Sequence, residues 1–440
     1  MTTPRTERWL AGCVLAHVTL LPISIALSQP FAFLAALLVT WLCWSQRGAP
    51  QVSHPLRWYI LVFAVLALAS LGWSIRPAQT ADKLDRMLLL GMIMAIPWLT
   101  TRGQTPWSRE GLWRLVILFV AGATVQAALD VVRIPMAYHY ALQHHEALVQ
   151  AGERSARALR PTLFDMGNMR DPQMYMVSLS LLVGWVLYRR SDGGLRWWWL
   201  AAALNGAAFV LHFKRGAWLA FLVSAALMAL AARRRRLLLI LLLAVASALA
   251  VPQVRERLSL LKDELRLKTG GRYALWTEVG PRMMDEHPWG LGWKAARHED
   301  FTRYAVRIQP KLNHLHNNAL QMRLELGWPG LVAWLTWMVA GGVLMGRSYW
   351  RLAQRHDALT GVGYGVLGGY LALHFNGLVE YNFGDAEIFM LFNVLLGLAV
   401  ALSWVEATVP SGVASTRPGP PPAMKAVPPT ADRSPPAEAV

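Results

Sequence analysis

The sequence predicts an all-α polytopic protein that crosses a membrane about twelve times. Of its 440 residues, 55% are hydrophobic and only 16% are charged, which is too little charge to cover the surface of a soluble chain of this length. The apolar residues also fall into long runs that match the hydrocarbon thickness of a lipid bilayer. The bilayer is therefore the expected surroundings of the chain, and no nucleic-acid partner is expected.

Twelve apolar runs form the predicted spans. The first run follows Arg5 and Arg8 and lacks a small-residue cleavage site, so it is predicted to be a retained span rather than a cleaved signal peptide. The two cysteines, Cys13 and Cys43, both lie in apolar runs, which leaves no disulfide framework and no Cys/His zinc pattern. The spans are predicted at 9–28, 30–45, 56–75, 87–100, 111–132, 173–188, 196–212, 216–232, 237–252, 328–346, 359–377 and 386–405.

These spans divide the chain into six segments. The last segment is rich in proline, alanine and serine and cannot bury a core, so it is predicted to be disordered. The segments are 1–132 with spans one to five, 133–172 outside the membrane, 173–252 with spans six to nine, 253–327 as a long outer loop, 328–407 with the last three spans, and the tail 408–440.

The placement of arginines sets the predicted orientation. One side of the membrane carries most of the basic loops, including the run 233–236, and the positive-inside rule makes that side the cytoplasm, with both termini. The opposite face holds an exception, because the short turn HFKRGAW puts Lys214 and Arg215 at the outer mouth of the bilayer. Cations placed against the topological bias favour an anionic ligand there. Contact with outer-leaflet phospholipid headgroups is the alternative.

The long outer loop has local structure of its own. In VRERLSLLKDELRLK, 254–268, apolar residues recur at helical spacing and basic residues cover much of the remaining surface, which predicts a short helix in the membrane interface. TGGRYALW then breaks and restarts the chain, so Arg272 is predicted to begin a helix and to strengthen the attraction of its N-terminus for anions. EHPWGLGW, 286–293, is predicted to be a turn with both tryptophans at the interface.

The stretch LNHLHNNALQ holds two histidines just before a predicted helix. Asn318 and Gln321 have the spacing of a capping box, which predicts Asn318 as the N-cap of a helix that ends at Gly327. His314 and His316 then lie on extended backbone, where residues two apart point the same way.

The residues themselves leave three interpretations of the histidine pair open. A metal site needs a further ligand, and His287, Glu286 or Asp300 would reach the pair only through folding. The second interpretation is a hydrated polar turn in which the histidines have no chemical role. A general base is favoured, because surrounding arginines disfavour charged imidazole, lower its pKa and leave a neutral ring to accept a proton from an attacking hydroxyl. Since arginines also hold phosphate leaving groups, the outer surface predicts group transfer from a phosphate-linked donor.

Several motifs resemble those of the O-antigen ligase/polymerase family of bacterial envelope enzymes. A weaker motif, RPTLFDMGNMRDPQMY, reads Asp171-Pro172-Gln173 where the family has an Asn-Pro-Asn-like step, and it places Arg160 at the family's arginine position. The resemblance covers residues 155–405. The stronger motifs are KRGAWLAF at 214–221, GRYALWTEVG and EHPWGLGW within 271–293, and HLHNNALQMRLELGWPGL at 314–331.

The resemblance implies a membrane glycosyltransferase with a GT-C-like fold and an active site on the periplasmic face of the inner membrane. Its donor is a glycan on undecaprenyl diphosphate, and its acceptor is a sugar of the lipid A–core oligosaccharide. No metal or other cofactor is expected, because arginines replace the divalent cation that holds diphosphate in many glycosyltransferases. The predicted base is His316 or His314, and Lys214, Arg215 and Arg272 are predicted to hold the diphosphate. Arg215 is also assigned to catalysis, and Arg160 and Asn317 are assigned to substrate binding.

Other functions remain as alternatives to an O-antigen ligase. An O-antigen polymerase or a protein O-oligosaccharyltransferase of the same family needs the same donor site. A transporter of lipid-linked sugar belongs to another class, and it usually shows broken helices or ionisable groups at mid-membrane, whereas the charges here gather at the outer surface. No paired carboxylates of glycosidase type are evident, which agrees with a single inverting displacement.

Overall fold

The computed structural model describes most of the chain as helices joined by turns. The chain divides into two units, Met1–Thr408 and Val409–Val440, and every described residue lies in the first unit. Over these residues no strand occurs. The described residues are 4–45, 54–101, 109–143, 172–188, 195–212, 214–250, 252, 255, 271–304, 312–355 and 357–407.

Sixteen α-helices are present in this part of the chain. They are α1 Pro4–Leu20, α2 Ile25–Ser45, α3 Arg57–Ala69, α4 Pro77–Asp82, α5 Met92–Thr101, α6 Arg109–Gln143, α7 Gln173–Tyr188, α8 Leu195–Leu211, α9 Arg215–Ala231, α10 Arg235–Ala250, α11 Arg272–Ala274, α12 Gly280–Glu286, α13 His298–Thr302, α14 Asn318–Gln354, α15 Thr360–Gly377 and α16 Ala386–Ala407. Short 3₁₀ segments lie at Ser70–Gly72, Leu84–Gly91 and Asn382–Gly384, and a π-helical turn at Leu275–Val279 joins α11 to α12.

The helices support the predicted membrane class. Each predicted span overlaps a described helix, and the chain is a helical membrane protein. Among the described residues, four helices have both the length and the hydropathy to cross a bilayer: Ile25–Ser45, Arg109–Met136, Asn318–Gln354 and Ala386–Val405. The count of twelve spans and the GT-C-like fold stay predictions.

Two predicted boundaries are wrong. The first span was expected to run over 9–28, but α1 ends at Leu20 and α2 begins at Ile25. Pro22 lies in the turn between the two helices, where its missing N–H and the restriction on the residue before it favour a break. The outer segment was expected to begin at residue 133, but α6 continues to Gln143.

Close helix packing positions the elements that carry the site. Helices α7 and α15 approach through glycines, and a Cβ added at Gly184 would lie 2.2 Å from the carbonyl oxygen of Gly361. At the next turn a Cβ on Gly365 would lie 2.6 Å from the Cα of Leu181. Small residues spaced in this way let membrane helices touch at their backbones. The contact sets the position of the end of α15, which leads into the candidate site.

The segment after α3 packs on the predicted turn EHPWGLGW. Ile75 N donates to Leu291 O at 2.9 Å, and both guanidinium nitrogens of Arg76 donate to Asp300, at 2.7 and 2.8 Å. The turn is present, with Gly290 and Gly292 in the left-handed region at φ 89° and 100°. Of its two tryptophans, Trp289 is exposed but Trp293 is fully buried. The interfacial placement predicted for Trp293 is therefore wrong, because the segment after α3 covers it.

Candidate functional site

Four chain segments that are distant in sequence meet at one polar cluster. They are the turn before α9, the start of α11, the histidine stretch before α14, and the turn between α15 and α16. Sequence reasoning predicted the first three segments but not the fourth, which contributes Glu380. The residues brought together are His314, His316, Arg272, Lys214 and Glu380.

Glu380 is the central acceptor of this cluster. Its Oε1 accepts from His316 Nδ1 at 2.8 Å, and its Oε2 accepts from Arg272 Nη2 at 3.3 Å. Burial raises the pKa of the Glu380 carboxyl, but the hydrogen bond from His316 and the charges of His316, Arg272 and Lys214 outweigh burial and lower this pKa to about 2. Glu380 is therefore a carboxylate at neutral pH. Because a carboxylate only accepts, His316 Nδ1 carries the hydrogen of this bond, and Glu380 thereby fixes the orientation of the ring.

His314 is held in a different state from His316. The two rings lie edge to face with centroids 4.1 Å apart, and His314 Nδ1 accepts from the backbone N–H of His316 at 3.2 Å. Burial lowers the pKa of His314 to about 3, and the charges of His316, Lys294 and Arg272 act in the same direction against that of Glu380. The predicted fall in histidine pKa holds for His314, although burial rather than arginine is its main cause. His314 is a neutral ring whose Nε2 carries the hydrogen.

The backbone of His316 is strained. Its φ is 49°, in the left-handed region that residues with a Cβ seldom adopt. Both the hydrogen bond to Glu380 and the one from His316 N to His314 hold this conformation. Non-glycine residues in such conformations cluster at active sites and ligand clamps, where the surrounding contacts enforce them.

The basic turn lies against the segment that precedes Glu380. Lys214 is the N-cap of α9 and Arg215 is its first residue. A Cβ added at Gly216 would lie 2.9 Å from Val379 Cγ2, so the turn touches the end of α15. Arg272 is the first residue of α11, as predicted. Its ion pair with Glu380 joins this helix start to the same surface.

A buried acid supports the basic turn from within the helices. Asp130 Oδ2 accepts from Tyr175 OH at 2.5 Å and from His212 Nε2 at 3.0 Å, which links α6, α7 and the end of α8. His212 lies two residues before Lys214. Ionisable residues inside membrane proteins are usually paired with other polar groups in this way. The Asp130–His212 contact therefore holds the chain where it enters the basic turn.

The predicted helix cap is displaced by one residue. Asn317, not Asn318, is the N-cap of α14, and its Oδ1 accepts from Leu320 N at 3.0 Å. Asn318 is buried instead, where its amide donates to Asn382 Oδ1 at 2.6 Å and accepts from Phe383 N. Because the Asn318 side chain is engaged by Asn382 and Phe383, Asn318 is the first residue of the helix and Asn317 is its N-cap. The substrate-binding role of Asn317 stays a prediction, and its Nδ2 donates to Leu378 O.

A second buried acid holds the histidine stretch in place. Glu325, 1% exposed, accepts from Gln321 Nε2 and Tyr381 OH at 2.9 Å each, and from Lys294 N at 3.0 Å. Gln321 Oε1 in turn accepts from Leu315 N, between the two histidines. The helix kinks directly afterwards, at Gly327 with φ 65°, where it was predicted to end. Glu325 thus connects three segments around the site.

Two acids and one lysine of the site were not predicted. Glu380 lies in a short turn between two apolar runs, and a lone acid at a membrane edge is the signal that could have found it. Glu325 and Lys294 gave no such signal, because their role depends on contacts between distant segments. Two predictions, Arg160 and the interfacial helix at 254–268, lie outside the described residues apart from position 255.

The cluster also contains a donor set that could hold a metal ion. One ligand atom each of His314, His316 and Glu380 lie within 4.8 Å of one another. Two imidazoles and a carboxylate suit zinc or iron. The positive charges of Arg272 and Lys214 act on the same carboxylate, however, and they oppose a divalent cation while favouring an anion. The charges around the cluster therefore favour an anionic ligand beside it.

One part of the chain matches a known protein family. Residues 200–335 match the O-Antigen ligase family model. This match confirms the resemblance drawn from the motifs. A comparison with curated proteins gave no match. Lys214, Arg215, Arg272, His314 and His316 lie within the matched segment, whereas Glu380 lies beyond its end.

Proposed function

We propose that this protein is an O-antigen ligase of the bacterial inner membrane. It transfers a glycan from undecaprenyl diphosphate to a sugar hydroxyl of lipid A–core on the periplasmic face, without a metal. The observation that carries the proposal is the His316–Glu380 hydrogen bond of 2.8 Å beside the cations Arg272 and Lys214. The hydrogen bond supports His316 as a base beside an anion-binding surface, and the match of residues 200–335 to the family supports the class of reaction.

The proposed step is a single displacement at the anomeric carbon of the donor. The acceptor oxygen attacks that carbon while its proton moves to His316 Nε2, and Glu380 stabilises the imidazolium that forms. The bond between the anomeric carbon and the phosphate oxygen breaks, and undecaprenyl diphosphate leaves with the electron pair. Lys214, Arg215 and Arg272 hold the diphosphate as its charge grows. One displacement inverts the configuration, and the imidazolium then returns its proton to water.

His316 is the better candidate for the base. The Nδ1 lone pair of His314 is already taken by the backbone N–H of His316, and its Nε2 carries the hydrogen. His314 therefore donates rather than accepts on the substrate side. We assign it to holding an oxygen of the acceptor or donor.

Transfer by the purified full chain tests this function. Lipid-linked glycan and lipid A–core are incubated with the protein, with and without EDTA, and both lipid products are separated. Glycan on lipid A–core in both conditions is the expected result. Lengthened glycan that remains on the lipid carrier would mean a polymerase instead. Activity lost in EDTA and restored by zinc would replace the proposed base with a metal site.

A variant of the basic turn tests the anion-binding role. Arg215→Ala is expected to weaken donor use severely, since a lost charged contact to a buried phosphate costs roughly 2–5 kcal/mol. Arg215→Lys is expected to recover only part of the activity, because lysine lacks the bidentate fork. Arg303→Ala is the matched control on the same outer face, since the Arg303 side chain is 71% exposed. Full activity in Arg215→Ala would assign the turn to phospholipid headgroups.

A further inference from the structure

A groove lies at the end of α9 opposite to the basic turn. It has a volume of about 410 Å³ and is lined by Ala229, Leu230, Arg233, Arg234, Arg235 and Leu238. Three arginines thus share one concave surface with two leucines and an alanine. The groove is remote along the chain from the histidine cluster, and the proposed reaction does not use it.

The backbone of the turn after α9 is strained at one of the arginines. Arg233 follows the C-cap residue of α9 and has φ 55°, in the left-handed region where glycine is the usual residue. Arg233 N donates to Leu230 O at 3.0 Å and Arg234 N donates to Ala229 O at 2.8 Å, so the helix end closes on itself. Glycine would satisfy this turn without strain. An arginine in this position supplies a guanidinium group that the turn does not need for its own geometry.

The groove combines positive charges with an apolar wall. Arg234 also lies over the Tyr188 ring, with its guanidinium carbon 5.6 Å from the centroid, which holds that side chain beside the groove. Within the described residues no ion pair joins Arg233, Arg234 or Arg235 to a carboxylate. Leu230 is 60% exposed, and the following helix α10 also turns leucines outward, so the apolar wall continues into the lipid-facing surface.

We propose that this groove binds one anionic phospholipid. Its phosphate is held by Arg233, Arg234 and Arg235, and the first part of an acyl chain lies beside Leu230 and Leu238. Basic pockets at the ends of membrane helices bind acidic headgroups in this way, because the pocket lies at the level of the headgroups and carries the opposite charge. A soluble phosphate compound shares the charge but lacks the acyl chain. The inference is independent of the proposed glycosyl transfer.

Lipid retention by the purified full chain tests the proposal. The protein is incubated in detergent with phosphatidylglycerol, with phosphatidylcholine, or with phosphatidylglycerol plus excess inorganic phosphate, and bound lipid is measured by native mass spectrometry. Phosphatidylglycerol is expected to stay bound, phosphatidylcholine to dissociate, and phosphate not to displace the bound lipid. Equal retention of both lipids would overturn the charge selection, and displacement by phosphate would make the groove a site for a soluble anion.

Variants then locate the bound lipid. Arg234→Gln is expected to weaken retention about five-fold, the effect of one surface charge near an anionic headgroup. Arg347→Gln removes the same charge near the predicted cytoplasmic end of α14 and is expected to have no effect. Leu238→Trp fills the groove and keeps every arginine, so it is expected to abolish retention, whereas Leu239→Trp on the lipid-facing side is the control. Equal losses in Arg234→Gln and Arg347→Gln, or unchanged retention in Leu238→Trp, would refute the groove.

Discussion

At the scale of single residues, Glu380 determines what the two histidines can do. Without it, His314 and His316 are two similar rings in one polar turn. With it, His316 is oriented through Nδ1, while His314 is buried and neutral. The difference between the two rings therefore comes from their partners rather than from their spacing.

Alanine variants of the two histidines test this difference. His316→Ala is expected to leave folding and donor binding near normal and to reduce turnover about 10²–10⁴-fold, the usual effect of removing a general base. His314→Ala is expected to be milder. The measurement is single-turnover transfer to lipid A–core with each variant purified in detergent. Wild-type rates in both variants would support the interpretation of the pair as a hydrated turn without a catalytic role. A stronger effect in His314→Ala would exchange the two roles.

Replacement of Glu380 tests the orientation of the base. Glu380→Gln keeps the shape but removes the charge that stabilises the imidazolium, so turnover is expected to fall about 10²–10⁴-fold and its pH dependence to shift. Glu380→Asp is expected to restore part of the rate. Glu286→Gln, at an exposed acid of the same outer face, is the control. A Glu380→Gln enzyme with the wild-type rate and pH profile would remove Glu380 from the proposed mechanism.

The pKa of His314 predicts a pH dependence of stability. In the folded protein this pKa is lowered to about 3, whereas an exposed histidine has a pKa of about 6.5. Between these values the unfolded chain binds one more proton, so this residue's contribution to stability is complete above pH 6.5 and is lost as the pH falls toward 3. His314→Gln is expected to lose less Tm between pH 7 and pH 5 than the wild type. An identical loss in both proteins would contradict the burial of His314.

At the scale of elements, the start of α14 is built to hold the histidine stretch. Asn317 caps the helix, Gln321 bonds back to Leu315, and Glu325 gathers three donors before the kink at Gly327. Polar contacts that connect separate segments in this way position a site more rigidly than a loop does.

Removal of Glu325 is expected to destabilise this part of the fold. Glu325→Ala leaves Tyr381 OH, Gln321 Nε2 and Lys294 N without their acceptor, and a buried donor left unsatisfied costs about 1–3 kcal/mol. Thermal unfolding in detergent measures this loss. Glu278→Ala, at an exposed acid of the π-helical turn, is the control and is expected to change Tm little. A Glu325→Ala protein as stable as the wild type would show that the network contributes no net stability.

At the scale of the whole molecule, the site joins segments from position 214 to position 380. Each segment follows or precedes an apolar helix, so all of them lie at one end of the helical bundle. The proposed orientation puts this end in the periplasm and the phospholipid groove in the cytoplasm.

Cysteine labelling tests this orientation. With Cys13 and Cys43 replaced by serine, a single cysteine at Ser259 or at Gly346 is treated in intact cells with a membrane-impermeant maleimide. The residue at position 259 is expected to be labelled and that at position 346 to be protected, because basic loops mark the cytoplasmic side. Labelling of both positions, or of position 346 alone, would invert or refute the topology.

The sequence by itself determined the membrane class of this protein and predicted several residues of the candidate site. Hydrophobicity is a local property, so the apolar runs predicted the helices, and Lys214–Arg215, Arg272 and the histidine pair were found because each breaks a local pattern. The tertiary structure alone decided the rest. Glu380 meets His316 across 64 positions of sequence, Asn318 leaves the cap to pair with Asn382, and Trp293 is covered by the segment after α3. Such choices depend on which segments the packed helices bring together, and periodicity and spacing along one chain do not contain that information.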